Sequence, residues 1–287
     1  MINLYTNALR NPRTSKQLSF GEALVAEYTC PIKDKFTDAW SHMDYLAYVA
    51  EGRKIWHTAQ GPFELTAGSC FFVRRGASIL EQFFDSQYCV VLFFLADDFI
   101  TKVLQSRQKS IHVPDKKYSP VIRVETNETL QAFFHSMTAY FDSNPQPDPS
   151  LIELKFKELV LTVADNPANG ELLSYFSSLL NRPRSISLRD VVEENFHYNL
   201  KLEEFARLSN RSLSAFKRDF IKEFNTTPGK WLKEKRLQHA RHLISNAGKT
   251  VSEAAFESGF ESPSHFSRSF SSYFGVTPTT MKLSIAV

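Results

Sequence analysis

Cysteine is scarce in this chain: Cys30, Cys70 and Cys89 are its whole complement, an odd number with no metal-ligand spacing. That excludes a disulfide scaffold and a zinc-finger quartet, and predicts reduced core thiols in a cytosolic protein. Long apolar runs are missing as well. The richest, Tyr88 to Ala96, is far short of the roughly 20 residues needed to span a bilayer. The first twenty residues mix Asn, Arg, Thr, Lys and Gln, so no signal peptide is expected and the protein reads as soluble and cytoplasmic. His42 and His57 stand isolated and no His-x-His occurs, which argues against a metal centre in any β-barrel. Neither a nucleophile elbow nor a glycine-rich phosphate loop is present. The expectation is a protein that is not an enzyme and carries no cofactor and no metal.

What is present is a repeat. Ser212-Leu213-Ser214-Ala215-Phe216-Lys217-Arg218-Asp219-Phe220 and Ser262-Pro263-Ser264-His265-Phe266-Ser267-Arg268-Ser269-Phe270 align without a gap at an offset of 50 residues. The match continues through Phe224 and Phe274 to Thr227-Pro228 and Thr277-Pro278. Each copy predicts a helix with both ends marked. Ser212 and Ser262 are N-caps, since a serine oxygen can accept from a free amide of the first turn. Phe216, Phe220 and Phe224, like Phe266, Phe270 and Phe274, fall on one face and predict a core stripe. Asn225 and Gly275 are the residue types that most readily take the left-handed conformation ending a helix. The opposite faces carry Ser214, Lys217 and Arg218, and Ser264, His265, Ser267 and Arg268. A short helix precedes each copy, with small Ala206 and Ala255 allowing close approach and Gly259 suiting the turn. The result is a helix-turn-helix present twice, over about 200–224 and 250–274.

The pattern Ala255-x-x-x-Gly259-Phe260-x-Ser262, then Phe266-x-Arg268-x-Phe270 and Phe274-Gly275-x-Thr277-Pro278, resembles the AraC/XylS family of bacterial transcription regulators. The likeness covers roughly the last hundred residues and extends through Trp231-Leu232 and Arg236-Leu237-x-x-Ala240, similar to that family's helix joining the two modules. Asn225 stands where glycine is common, and His265 where tyrosine or threonine often sits. The resemblance implies a DNA-binding domain over 187–285, opened by the capping pattern Ser187-x-x-Asp190. The DNA-facing set is then Ser212, Ser214, Ala215, Lys217, Arg218 and Lys222 in the first module. In the second it is Ser262, Pro263, Ser264, His265, Ser267 and Arg268. Arg218 and Arg268 would read or anchor in the major groove, and Ser212, Ser262 and the helix N-termini would hold phosphates. Charge supports this modestly: from Pro183 onward sixteen Lys and Arg face eleven Asp and Glu, a net of +5, whereas the preceding residues carry −2.

The 287 residues suggest two domains. Residues 18–100 read as short strands at Phe20–Tyr28, Tyr45–Val49, Lys54–Thr58, Cys70–Val73, Ser78–Phe84 and Tyr88–Leu95, separated by turn signals. That predicts a barrel or jelly roll. The glycine spacing Glu51-Gly52, Gly68, Gly76 is similar to the cupin-like sensor domain of many such regulators, and Phe72-Val73-Arg74-Arg75-Gly76 resembles the N-domain of type III secretion activators. Arg74-Arg75 itself reads as a solvated strand end. From Glu125 the period becomes helical, and three helices are expected across 125–180. The fold class is thus α+β in two domains: a cupin-like regulatory and dimerisation domain over 1–180, a linker over 181–186, and an all-α double helix-turn-helix domain. The expected partners are promoter DNA, RNA polymerase, a second copy through helices 125–180, and a small-molecule effector. The alternatives are control by a partner protein or by abundance, and, more remotely, a cupin enzyme with an accessory DNA-binding domain.

Overall fold

The computed structural model describes all residues except 12–14, 30–33, 59, 85–86, 110, 112–117, 182–186 and 284–287. Cys30 and, apart from Asn181, the expected linker lie outside the described residues. The chain divides into two compact units, Ile2–Arg184 and Ser185–Val287.

The first unit begins with β1 (Ile2–Asn3) and α1 (Leu4–Arg10), then runs through β2 (Ser15–Phe20), β3 (Ala23–Thr29), β4 (Phe36–Ser41), β5 (Asp44–Glu51), β6 (Arg53–Thr58), β7 (Gly61–Thr66), β8 (Cys70–Val73), β9 (Gly76–Gln82) and β10 (Cys89–Leu95). After these come α2 (Asp97–Gln105), β11 (Val121–Val124), α3 (Glu128–Phe141), α4 (Pro149–Asp165) and α5 (Gly170–Asn181). The strands form two sheets, ordered β1-β4-β9-β6-β7 and β11-β8-β5-β10-β3-β2. In the second sheet, successive side chains alternate between two cores. Tyr45, Ala47, Val49, Leu92 and Phe94 face the barrel interior with Trp56, Leu65 and Leu80. Leu46, Phe72, Val91 and Phe93 face a second core built with Phe133, Phe134, Phe156 and Phe176 from the helices. Burial on both faces explains why the run ending at Leu95 is apolar throughout rather than alternating.

Several expectations need correction. The strand expected over Phe20–Tyr28 begins only at Ala23, because Gly21 turns at φ +52° and Phe20 ends the preceding strand, pairing with Ala23 across the turn. Strands β4 and β7 were not foreseen. Pro62 in β7 pairs with His57, and β7 lies at a sheet edge, where a missing amide is tolerated. Arg75 is not a solvated strand end. Its backbone N–H and its Nε donate to Asp44 Oδ1 at 2.8 and 3.0 Å, and Nη2 pairs with Asp97. The Asp44 side chain is fully buried and also accepts from the Tyr175 hydroxyl of α5. Arg74 lies over the rings of Tyr118 and Tyr175 at 5.0 and 5.5 Å.

The second unit is all helix: α6 (Leu188–Asn195), α7 (Leu202–Leu208), α8 (Leu213–Phe224), α9 (Pro228–Asn246), α10 (Val251–Glu257), α11 (Pro263–Phe274) and α12 (Pro278–Leu283). Its core has two halves along α9. Trp231 meets Phe220 and Phe224 of α8 at 5.8 and 5.1 Å. Leu237, Ala240 and Ile244 pack with Ala254, Ala255, Phe260, Phe266 and Phe270.

Candidate nucleic-acid interface

Each module presents a helix whose far face is anchored and whose near face is exposed. In the first, Phe216 and Phe220 are fully buried, and Ala206 of α7 is buried beside them. In the second, Phe266, Phe270 and Ala255 repeat the arrangement. With the phenylalanines fixed inward, the 3.6-residue period leaves Ser214, Lys217, Arg218 and Lys222 exposed on α8, and Ser264, His265 and Arg268 exposed on α11. Ala215, Pro263 and Ser267 are half-buried at the edge of these faces.

The helix ends are built as the residues dictate. Ser212 Oγ accepts from Ala215 N at 3.2 Å, and Ser262 Oγ accepts from His265 N at 3.3 Å. Both hydroxyls are therefore occupied as caps, while the remaining amides of each first turn point outward with the positive end of the helix dipole. Asn225 and Gly275 close the helices in the left-handed conformation, at φ +54° and +74°. The turns inside the modules also match: Gly259 has φ +79°, and its counterpart one step short of the 50-residue offset, Asn210, has φ +53°.

The two arginines are held differently. Arg268 Nε donates to the Ser264 carbonyl of its own helix at 3.4 Å. Arg218 Nε donates to Asp219 Oδ1 at 3.2 Å, and Asp219 also receives Arg211 Nε at 3.3 Å. The second module has Ser269 where Asp219 stands in the first. Sequence reasoning missed Arg211 and Asp219, although this break in the repeat was available as a signal. Arg218 is 76% exposed, so its pair with Asp219 contributes little to stability, whereas Arg211 is only 19% exposed.

The first unit offers a contrast. His57 Nε2 pairs with Glu81 at 2.8 Å, and His42 lies near Asn3 and the ring of Tyr5. No group of three His, Cys, Asp or Glu able to hold a metal occurs among the described residues. No helix among them is long and apolar enough to cross a membrane.

Residues 44–175 match the ExsA N-terminal regulatory domain, and residues 205–283 match a helix-turn-helix domain. The chain is 27% identical over 266 residues to the virulence regulon transcriptional activator VirF of Yersinia enterocolitica, covering 91% of this chain and 96% of VirF. It is 32% identical over 131 residues to the HTH-type transcriptional regulator ExsA of Pseudomonas aeruginosa, covering 46% of this chain and 47% of ExsA. Among solved structures, apo ToxT of Vibrio cholerae aligns with a TM-score of 0.44 at 13% identity, over 92% of this chain and 98% of ToxT. Twin helix-turn-helix modules behind a regulatory domain of the ExsA type place the chain in the AraC/XylS family of DNA-binding transcription regulators.

Proposed function

We propose that this transcription activator reads DNA by setting α8 and α11 into two successive major grooves on one face of the duplex, about 34 Å apart. The observation that carries the reading is the duplicated face: two helices, each anchored by buried phenylalanines, expose hydroxyls and one arginine at matched positions. Arg218 and Arg268 contact bases or anchor beside them, and Lys217, Lys222, Ser214, Ser264, His265 and Ser267 supplement them. Ser212 and Ser262, with the N-termini they cap, face phosphates, and Ala215 and Pro263 line the approach. The chain acts in the cytoplasm beside RNA polymerase and performs no catalysis of its own.

The first unit supplies control. A second copy would dock through the helices after the barrel, where Leu151, Leu154 and Leu161 are exposed on α4 at 38, 59 and 36%. A small effector in the barrel would have to displace Tyr45, Trp56 and Phe94, all nearly fully buried there. That packing favours the second reading, control by a partner protein. The test of the DNA reading is Arg268→Ala, assayed on duplexes selected by the parent chain from a random pool. Affinity should fall by about 1–3 kcal/mol, with relaxed base preference at one position. Unchanged affinity and preference would remove Arg268 from readout.

A further inference from the structure

Residues 196–200, between α6 and α7, run along α9 and touch both modules. On the side of the first module, Phe196 meets Trp231 edge-on at 6.3 Å, and Trp231 in turn contacts Phe220 and Phe224 of α8. On the side of the second, Asn199 Nδ2 donates to Glu261 Oε1 at 3.2 Å. The same segment presses on Gly259, where an added Cβ would fall 2.9 Å from His197 O and 3.1 Å from the Tyr198 carbonyl carbon.

Arg236 sits at the crossover. Along α9, Trp231 serves the first core, whereas Leu237, Ala240 and Ile244 serve the second. Arg236 Nε donates to Phe196 O at 2.7 Å, and Nη2 donates to Tyr198 O at 2.6 Å. Burial pulls its pKa down to about 10, with Glu261 opposing, so the guanidinium is still charged at neutral pH. A planar fork holding two carbonyls two residues apart fixes the segment in orientation as well as position, which a lysine point charge cannot do.

We propose that Arg236 is a positioning residue for two-groove recognition. By clamping residues 196–200 between the modules it sets the separation and rotation of α11 relative to α8, and hence the base-pair spacing that the protein accepts. This rests on the reading of α8 and α11 as groove-reading helices. Each module has its own aromatic core, so the clamp acts on the geometry between the modules.

The test uses the full chain and a duplex selected from random sequence by the parent protein. The two contacted segments are moved apart or together by one or two base pairs, and a shortened duplex keeps one segment alone. The parent should lose about tenfold or more in affinity at each altered spacing, comparable with a mismatched base pair. Arg236→Ala and Arg236→Lys should weaken binding at the original spacing and flatten the spacing profile, with binding to the single segment unchanged. Asn199→Ala, at an exposed contact, should flatten it in part. If Arg236→Ala does not fold, Arg236→Lys and Asn199→Ala decide. A parent-like steep profile in those two variants would overturn the proposal. So would equal losses on the single segment and the full duplex, which would reduce Arg236 to fold support. A flat profile in the parent itself would instead overturn the two-groove reading.

Discussion

Asp44 is fully buried, and its partners come from the turn between β8 and β9, through Arg75, and from α5, through Tyr175. Burial pushes the carboxyl up, but Arg75, through charge and hydrogen bonds, and the Tyr175 hydroxyl push it down further, leaving it below the usual carboxylate range. Removing one partner of a buried pair strands the other. Asp44→Asn should therefore cost about 3–5 kcal/mol at neutral pH in urea unfolding. Because the folded pKa is depressed, the stabilisation is present above the unfolded value of about 3.9 and is lost as pH falls through the folded one. The gap between parent and variant should close in acid; a constant gap would contradict the assignment. None of this was legible in the sequence. Arg74-Arg75 before a glycine reads locally as a solvated turn, and the partners of Arg75 and Asp44 stand 31, 22 and 131 residues away. Arg268 and Arg218 were legible because the repeat displays them twice on the face opposite a phenylalanine stripe.

At the scale of elements, helix ends were the most readable feature. Ser212, Ser262, Asn225 and Gly275 all occupy the caps that their chemistry suggests, because a cap is decided within one turn of chain. The missed strands are the converse. Asp38 in β4 and Pro62 in β7 weaken the local strand signal, and pairing with β9 and β6 overrides it. Two glycines separate local strain from tertiary contact. Gly275 has open space around a Cβ, whereas Gly259 has a carbonyl oxygen 2.9 Å away, and both have positive φ. Gly275→Ala should thus carry only the left-handed penalty of about 1–2 kcal/mol. Gly259→Ala should cost clearly more in thermal unfolding of the second unit, because the backbone of residues 197–198 must also move. Equal costs would mean that this packing is slack.

For the whole molecule, the division into two units matches the asymmetry of charge: the excess of Lys and Arg lies with the helical unit, and the aromatic double core with the other. The two-domain plan was legible from the length of the chain and from the duplication. What regulates the first unit was not, since a barrel packed with its own side chains displays no ligand chemistry in its sequence. The central claim is that α8 and α11 engage one face of a duplex together. Its most direct measurement is a footprint of the full chain on selected DNA across a salt series. Two protected patches should appear on one face, one helical turn apart, with affinity falling steeply as salt rises because phosphate contacts release counterions. Protection confined to one groove, or affinity indifferent to salt, would contradict it.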